Sequence, residues 1–469
     1  LYQLYSKMVK YTCDQCGNGF SRKSQYDSHN RRKTPCVKNV DTSKEVIDNP
    51  VEEKRHSKLK FIDLCCGIGG FHYALANMGH ECVMASDINK DCRDNYLINH
   101  NLEPLDDLSK IEIHTIPNFD ILCAGFPCQP FSKAGEQRGF DDTRGNIFFD
   151  ICKIIKHHSP KYLILENVRN LATHDNGNTW NIIKEQIDKL DYYTYEKTVI
   201  LNTLYFGVPQ SRERVIIMCK RKDLGELPKI PSISKKNIKQ TSLKDIIDET
   251  VNNKYNIPDK LKETEIVWGK FLEVCNENNI AIPKFPVWTD WWDSNGNNTS
   301  ITKNDKKLNK EENEKNIKKA QDDFYAKYTN WIDKNREFYN TNIHVLQPWL
   351  IESRNKPLWL GAVRKLEWQT GSDNLTMEQV LWSPRGSGIR IKNIDYSPTL
   401  VAMASMIPIY GPKSRYLTPR ECARLQSFPE NYIIHDDDKK AYSQFGNAVN
   451  VKMIERCARF LINDEPLFV

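Results

Sequence analysis

The chain has 469 residues, 39% of them hydrophobic and 27% charged, proportions that fit a folded globular protein and exclude a fibrous or disordered one. Its net charge of +6 is small for this length and is by itself only a weak pointer to nucleic acid. No apolar run approaches the roughly 18 residues that cross a bilayer, no secretory leader is visible in LYQLYSKMVKYTCDQC, and most of the 14 cysteines sit in apolar stretches, which points to a reducing intracellular setting.

Residues 8–40 form the first unit. In YTCDQCGNGFSRKSQYDSHNRRKTPC, Cys13 and Cys16 stand two residues apart; His29 follows after twelve more and Cys36 after a further six. Four soft ligands so spaced suit tetrahedral Zn2+, which a domain this small needs in order to fold. The alternative is a set of reduced free thiols. The pattern resembles a C2H2 zinc finger with Cys as fourth ligand and a long last spacing, with Phe20 and Tyr26 where such a finger packs its core. That resemblance implies that Arg22, Gln25 and Ser28 face bases and that Asn30-Arg31-Arg32-Lys33 meets phosphate. A protein-binding finger is the other reading. Residues 41–58 are polar and charged and read as a linker.

From residue 59 to 223 the runs KFIDLCC, ECVMASD, DILCAGF, KYLILEN and RVIIMCK have strand length, and helical patterns such as GFHYALANMGH and NIFFDICKIIKHH lie between several of them. This alternation predicts an α/β domain with a mainly parallel sheet. Residues 224–395 lose the rhythm, are rich in Trp and contain the charged stretch KNDKKLNKEENEKNIKKAQDDFYAKY, which reads as a solvated helix. The tryptophans there read as core. Order returns over 396–469 with LTPRECARLQSFP and QFGNAVNVKMIERCARFL.

Several residues carry chemistry. Gly67, Gly69 and Gly70 lie at a strand-to-helix turn, where glycine lets the backbone approach a ligand, although such a turn also occurs without one. Asp87 ends the next strand about 20 residues on, placed either for the ribose hydroxyls of a nucleoside cofactor or as the cap of the following helix. Cys128 follows the third strand in a Pro-flanked loop, Glu166 ends the fourth, and Arg212 and Arg214 point to one face if their strand has begun. A cytosine needs these groups. Its C6 becomes electrophilic when a carboxyl group bonds N3, a thiolate attacks and later leaves, and a guanidinium meets charge on O2.

The ordered motifs FIDLCCGIGG, GFPCQPFS, ENV, QSRERV, RECARLQSFP and QFGNAV, from Phe61 to Val449, resemble those of DNA (cytosine-5) methyltransferases of the bacterial modification type. The resemblance implies a class I, Rossmann-like α/β sheet with an inserted target-recognition region at 224–395. It also implies S-adenosyl-L-methionine as cofactor and a flipped-out cytosine in duplex DNA as substrate. Cys128 then matches the nucleophile that forms the C6 adduct, Glu166 the carboxyl at N3, Arg214 the O2 ligand and Arg212 its companion near the nucleophile. Asp87 matches the ribose ligand, and Asp107 either the adenine-amino ligand or a plain loop carboxylate. Leu108, Pro127, Asn447 and Val449 fall in the motifs that complete the cofactor pocket. Cys65 and Ile88 depart from the family, which usually has aromatic residues there, packed on the adenine. The loop SKAGEQRGFDDTRGN, with Arg138 and Arg144, would close on DNA or remain a solvated surface. The implied protein is a monomer acting on DNA inside the cell, with room for a cognate restriction endonuclease. A tRNA cytosine-5 methyltransferase of the same fold and a DNA-binding regulator without catalysis are the alternatives; the long 224–395 region and the complete set of chemical groups favour DNA methylation.

Overall fold

The computed structural model describes residues 57–127, 147–292, 328–372 and 374–468, together with the strands Tyr11–Thr12 and Gly19–Phe20. Those two short strands pair antiparallel, Tyr11 opposite Phe20, within a unit spanning Leu1–Ser57. The remainder, Lys58–Val469, is a second compact unit.

In the second unit the short apolar runs become β1 (Lys60–Leu64), β2 (Glu81–Ser86), β3 (Ile121–Gly125) and β4 (Tyr162–Val168), followed by β5 (Tyr192–Tyr193), β6 (Val199–Asn202) and β7 (Glu213–Arg221). They form one seven-stranded sheet in the order β2-β1-β3-β4-β7-β5, with β6 also paired to β7. The first four strands are parallel, whereas β7 is antiparallel to β4, β5 and β6. The sheet is therefore mixed, not mainly parallel as the alternation predicts. The reason is connection length: a parallel crossover takes about a dozen residues or more, and the links between β5, β6 and β7 are too short for one.

Among the described residues the helices include α1 (Gly70–Ala76), α2 (Lys90–His100), α3 (Ile147–His158), α4 (Asn178–Lys189), α5 (Asp259–Glu277), α6 (Ile343–Arg354), α7 (Pro419–Leu425), α8 (Asp438–Asn447) and α9 (Val451–Asn463). Strand side chains alternate between two cores. Phe61, Ile121, Cys123, Ile164 and Met218 join residues of α1, α7, α8 and α9, while Ile62, Leu122, Leu163, Val215 and Ile217 join residues of α3 and α4. Because both faces are covered, these strands read as unbroken apolar runs.

A second, six-stranded sheet contains β8 (Lys365–Gln369), β9 (Val380–Arg385) and β10 (Gly388–Asn393) at its centre. Trp268, Trp292, Trp349, Trp359 and Trp382 are buried beside it with Phe271, so these tryptophans are core as their pattern suggests. The sheet runs on past Asp395 to Arg415–Tyr416. There the buried Arg415 grips Glu421 of α7 through two contacts of 2.7 and 2.9 Å, locking this sheet to the helices behind the first. Among the described residues no helix is long and apolar enough to cross a membrane.

Candidate active site

The sheet's parallel strands end at one edge, and the chain turns sharply there. Beyond β1, Cys65 has φ +51° and Gly67 φ +54°. A Cβ on Gly67 would meet nothing within 4 Å, so the glycine serves the backbone turn and leaves an open wall. Gly69 and Gly70 answer to packing: a Cβ on Gly69 would lie 2.1 Å from the His100 ring, and one on Gly70 2.6 Å from Val449. They let α1 begin tightly against its neighbours and do not themselves line the cavity described next.

That cavity, of about 670 Å³, opens between the strand ends and the segment Gly446–Val449. Cys65, Gly67, Asp87, Ile88, Asp107 and Leu108 line one end. Asp87 turns its carboxylate back on the glycine turn, accepting from the N–H of Gly67 and of Asn89, each at 2.8 Å. The cap of α2 is Asn89, whose side chain accepts from the Cys92 N–H, so capping does not explain Asp87. Each Asp87 oxygen retains acceptor capacity for a ligand. Burial raises its pKa above the ordinary carboxylate value, against the opposing pull of the two N–H groups and Arg93. Asp107 caps a short turn through Ser109, at 3.0 Å to N–H and 2.7 Å to the hydroxyl, and pairs with Lys110 at 3.1 Å. It is both a turn carboxylate and a lining residue. Ile88 is 78% exposed and offers an aliphatic face.

Asp87, Asp106, Asp107, Asp150 and Glu166 face the cavity, and Arg214 is the only Lys or Arg among the described residues lining it. Such a wall suits a cationic ligand. S-adenosyl-L-methionine, with its sulfonium and ammonium groups, fits this donor set. The thiols in the wall are inert: burial first, then the Asp87 charge, pushes Cys65 and Cys92 up to about 12, and burial with Asp63 raises Cys66 as well.

The opposite end holds a buried ion pair. Glu166 on β4 lies opposite Gly125 of β3 and Ile216 of β7, which brings it beside Arg214 near the start of β7. The two form an ion pair of 2.7 Å with side chains 9% and 11% exposed. Burial raises the Glu166 pKa, while Arg214 and Arg212 draw it back. Pro127, Asn447 and Val449 complete this end. Cys128 follows Pro127 in the chain and, like Arg138 and Arg144, lies outside the described residues; so do Cys13, Cys16, His29 and Cys36 and the charged stretch of the 224–395 region.

Arg212 takes its hydrogen-bond partners from the late segment. Strand β7 begins only at Glu213, and the buried Arg212 guanidinium donates to the carbonyls of Leu400, Gly446 and Ala448 at 2.8–3.2 Å. It holds the late segment against the sheet edge and does not line the cavity. Gly446 belongs to the same seam, since a Cβ there would stand 2.5 Å from the Ala402 nitrogen. Two positioning residues have no role in the sequence reading. Asn167, next to Glu166, donates to the Phe126 carbonyl at 2.9 Å and steadies the chain entering Cys128. Gln210 donates to the Leu425 carbonyl at 2.9 Å and accepts from the Leu400 N–H at 3.1 Å. Their signal was a side-chain amide inside each of the motifs ENV and QSRERV.

The model of the family described as C-5 cytosine-specific DNA methylase matches residues 59–463. Among curated relatives, the type II methyltransferase M.HhaI of Haemophilus parahaemolyticus is 30% identical over 87% of this chain and 95% of its own. The type II methyltransferase M.BanI of Aneurinibacillus aneurinilyticus is 32% identical over 85% of this chain and 94% of its own. The chain therefore belongs to the C-5 cytosine-specific DNA methylase family and is a DNA cytosine-5 methyltransferase.

Proposed function

We propose that the cavity divides its work between a cofactor end around Asp87 and a cytosine end around Glu166 and Arg214, with Cys128 as nucleophile toward a base flipped from duplex DNA. The observation that carries this reading is the buried Glu166–Arg214 pair in the wall of a cavity whose far end presents Asp87 and whose edge leads, at Pro127, into Cys128. S-adenosyl-L-methionine, the cofactor of cytosine-5 DNA methyltransferases, supplies the methyl group as an electrophile. Asp87 holds the ribose, Asp107 the adenine amino group, and Ile88 with Cys65 packs on the adenine in place of aromatic residues.

Cys128 thiolate bonds to C6 while Glu166 bonds N3 in its protonated form. Attack by Cys128 and the bond from Glu166 leave C5 enamine-like, ready for the methyl group that bound S-adenosyl-L-methionine would supply. Loss of the C5 proton to solvent then expels the Cys128 thiolate, restores the C5–C6 double bond and returns the N3 proton to Glu166. Arg214 stabilises the negative charge that builds on O2. Arg212 acts indirectly, by fixing Gly446–Ala448. Residues 224–395 select the target sequence, and the enzyme works inside the cell, where a restriction endonuclease of the same specificity is a natural companion.

Bisulfite sequencing of DNA from cells expressing the protein tests the reading. Cytosines of one sequence context are expected to be protected, and Cys128→Ala is expected to abolish protection. Methylation by that variant would falsify the covalent route, and incorporation into tRNA without duplex DNA would replace the substrate.

We read the N-terminal unit as a zinc finger held by Cys13, Cys16, His29 and Cys36. Pairing of Tyr11–Thr12 with Gly19–Phe20 supports it, because the two cysteines fall in the connection of that hairpin. One zinc per chain is expected by elemental analysis, lost in the double variant Cys13→Ser, His29→Ala. Metal-free protein purified without chelators overturns this assignment.

A further inference from the structure

The first cavity is closed at one end and open at the other. Phe126, Glu166 and Ala448 line its Arg214 end and are buried, whereas Ile88, Asn89, Asp106 and Ser109 line its Asp87 end and are exposed. Among the described residues its aromatic side chains are Phe71 and Phe126, both buried, so neither walls the open end. A second cavity, of about 690 Å³, meets the first at Val168 and Arg214 and is lined by Arg385, Arg390 and Lys392 on β9 and β10. Its cations repel a sulfonium, which leaves the first cavity to the methyl donor.

Asp107 stands at the open end with little acceptor capacity left. Its Oδ1 takes both the N–H and the hydroxyl of Ser109, at 3.0 and 2.7 Å, which fills the two lone pairs of that oxygen. Oδ2, paired with Lys110 at 3.1 Å, is the oxygen that can take a further donor. The two hydrogens of an aromatic amino group diverge by about 120°, so one carboxylate oxygen accepts one of them. Asp106 gives an oxygen to the Asp107 N–H at 2.6 Å and is exposed, so a bond from it to a ligand competes with water.

We infer that this end reads one N–H of the adenine 6-amino group and leaves the other unread, so the enzyme takes methyl donors, and thioether products, that carry an alkyl or benzyl group on N6. This rests on the assignment of Asp87 to the ribose and Asp107 to the amino group. A single N6 substituent keeps one N–H for Asp107. Its bulk passes the exposed rim, where Ile88 is 78% exposed and sets the width of the opening.

The test is calorimetric binding of thioether nucleosides to the full chain without DNA. S-adenosylhomocysteine and its N6-benzyl derivative are expected to bind with Kd values within about tenfold of each other. The N6,N6-dimethyl derivative, which has no N–H, is expected to bind about tenfold more weakly than the N6-methyl one, the loss of one charge-assisted bond. Asp107→Ala should close that gap. Ile88→Trp is expected to tighten S-adenosylhomocysteine and to weaken the benzyl derivative, a divergence that a folding defect cannot imitate. Two assignments separate in the outcome. Suppose S-adenosylhomocysteine binding weakens in both Asp87→Asn and Asp107→Ala. Rejection of the benzyl derivative beyond tenfold, or equal binding of the two methyl derivatives, then overturns the inference alone. Binding untouched by both variants overturns the cofactor assignment together with it.

Discussion

The two cavities that meet at Arg214 are of similar size and opposite charge. The first gathers Asp87, Asp106, Asp107, Asp150 and Glu166; the second gathers Arg385, Arg390 and Lys392, with Arg169 paired to Glu213 at 3.0 Å. A cationic methyl donor is drawn to carboxylates, and an anionic polymer to guanidinium and ammonium groups. Arg214 belongs to both linings and pairs with Glu166 on one side. Charge, not shape, thus separates the two binding tasks within one continuous surface.

The comparison breaks most severely at Glu166. Glu166→Gln keeps the size of the side chain and removes the acid, and kcat is expected to fall about 10²–10⁴-fold while the cofactor KM changes little. The raised pKa of Glu166 gives the pH dependence a definite sign. The protonated form that serves N3 persists above the ordinary carboxylate range, and kcat/KM should decline as pH rises through the Glu166 pKa. The Gln variant, with nothing to titrate there, should lack that limb; an identical limb in both proteins would assign it to another group.

Arg214→Lys is the next largest effect, a loss of about 10²–10³ in kcat, because one ammonium cannot reproduce the planar contact with both Glu166 and O2. Arg212→Lys should divide differently. Its loss is structural, since three buried carbonyls share one guanidinium, and calorimetry should show a lower Tm than in the Arg214 variant. Equal kcat losses with equal Tm would erase the distinction between the two arginines.

At the cofactor end, Asp87→Asn should raise the S-adenosyl-L-methionine KM about tenfold, the cost of charge-assisted bonds, with kcat less affected. The smallest effect is a gain. Ile88→Trp places an aromatic ring at an exposed position in the cavity wall, and an aromatic contact of about 0.5–1.5 kcal/mol corresponds to a KM lower by roughly two- to tenfold. An unchanged KM would show that Ile88 does not face the adenine.

Much of the catalytic half was legible before any coordinates. The strand runs were readable because residues buried on both faces leave continuous apolar stretches, and Glu166 and Asp87 were readable because they end such runs at the ligand-binding edge. The bonds of Arg212 to the late segment were not readable. Two residues of one type two apart look equivalent in a sequence, yet the strand starts between them and only Arg214 faces the cavity. The packing demand on Gly69 and Gly70 was not readable, because it comes from His100 and Val449, which approach from other parts of the chain.

What the sequence by itself determined is the family and with it the reaction class, because both are carried by short local motifs in a fixed order. What only the tertiary structure decided is the company these residues keep. The mixed order of the sheet, the seam that Arg212 and Gln210 make with the late segment, and the basic hairpin set against Arg214 all join positions far apart along the chain. Contacts of that kind depend on packing and on charge brought together in space, and no local pattern records them.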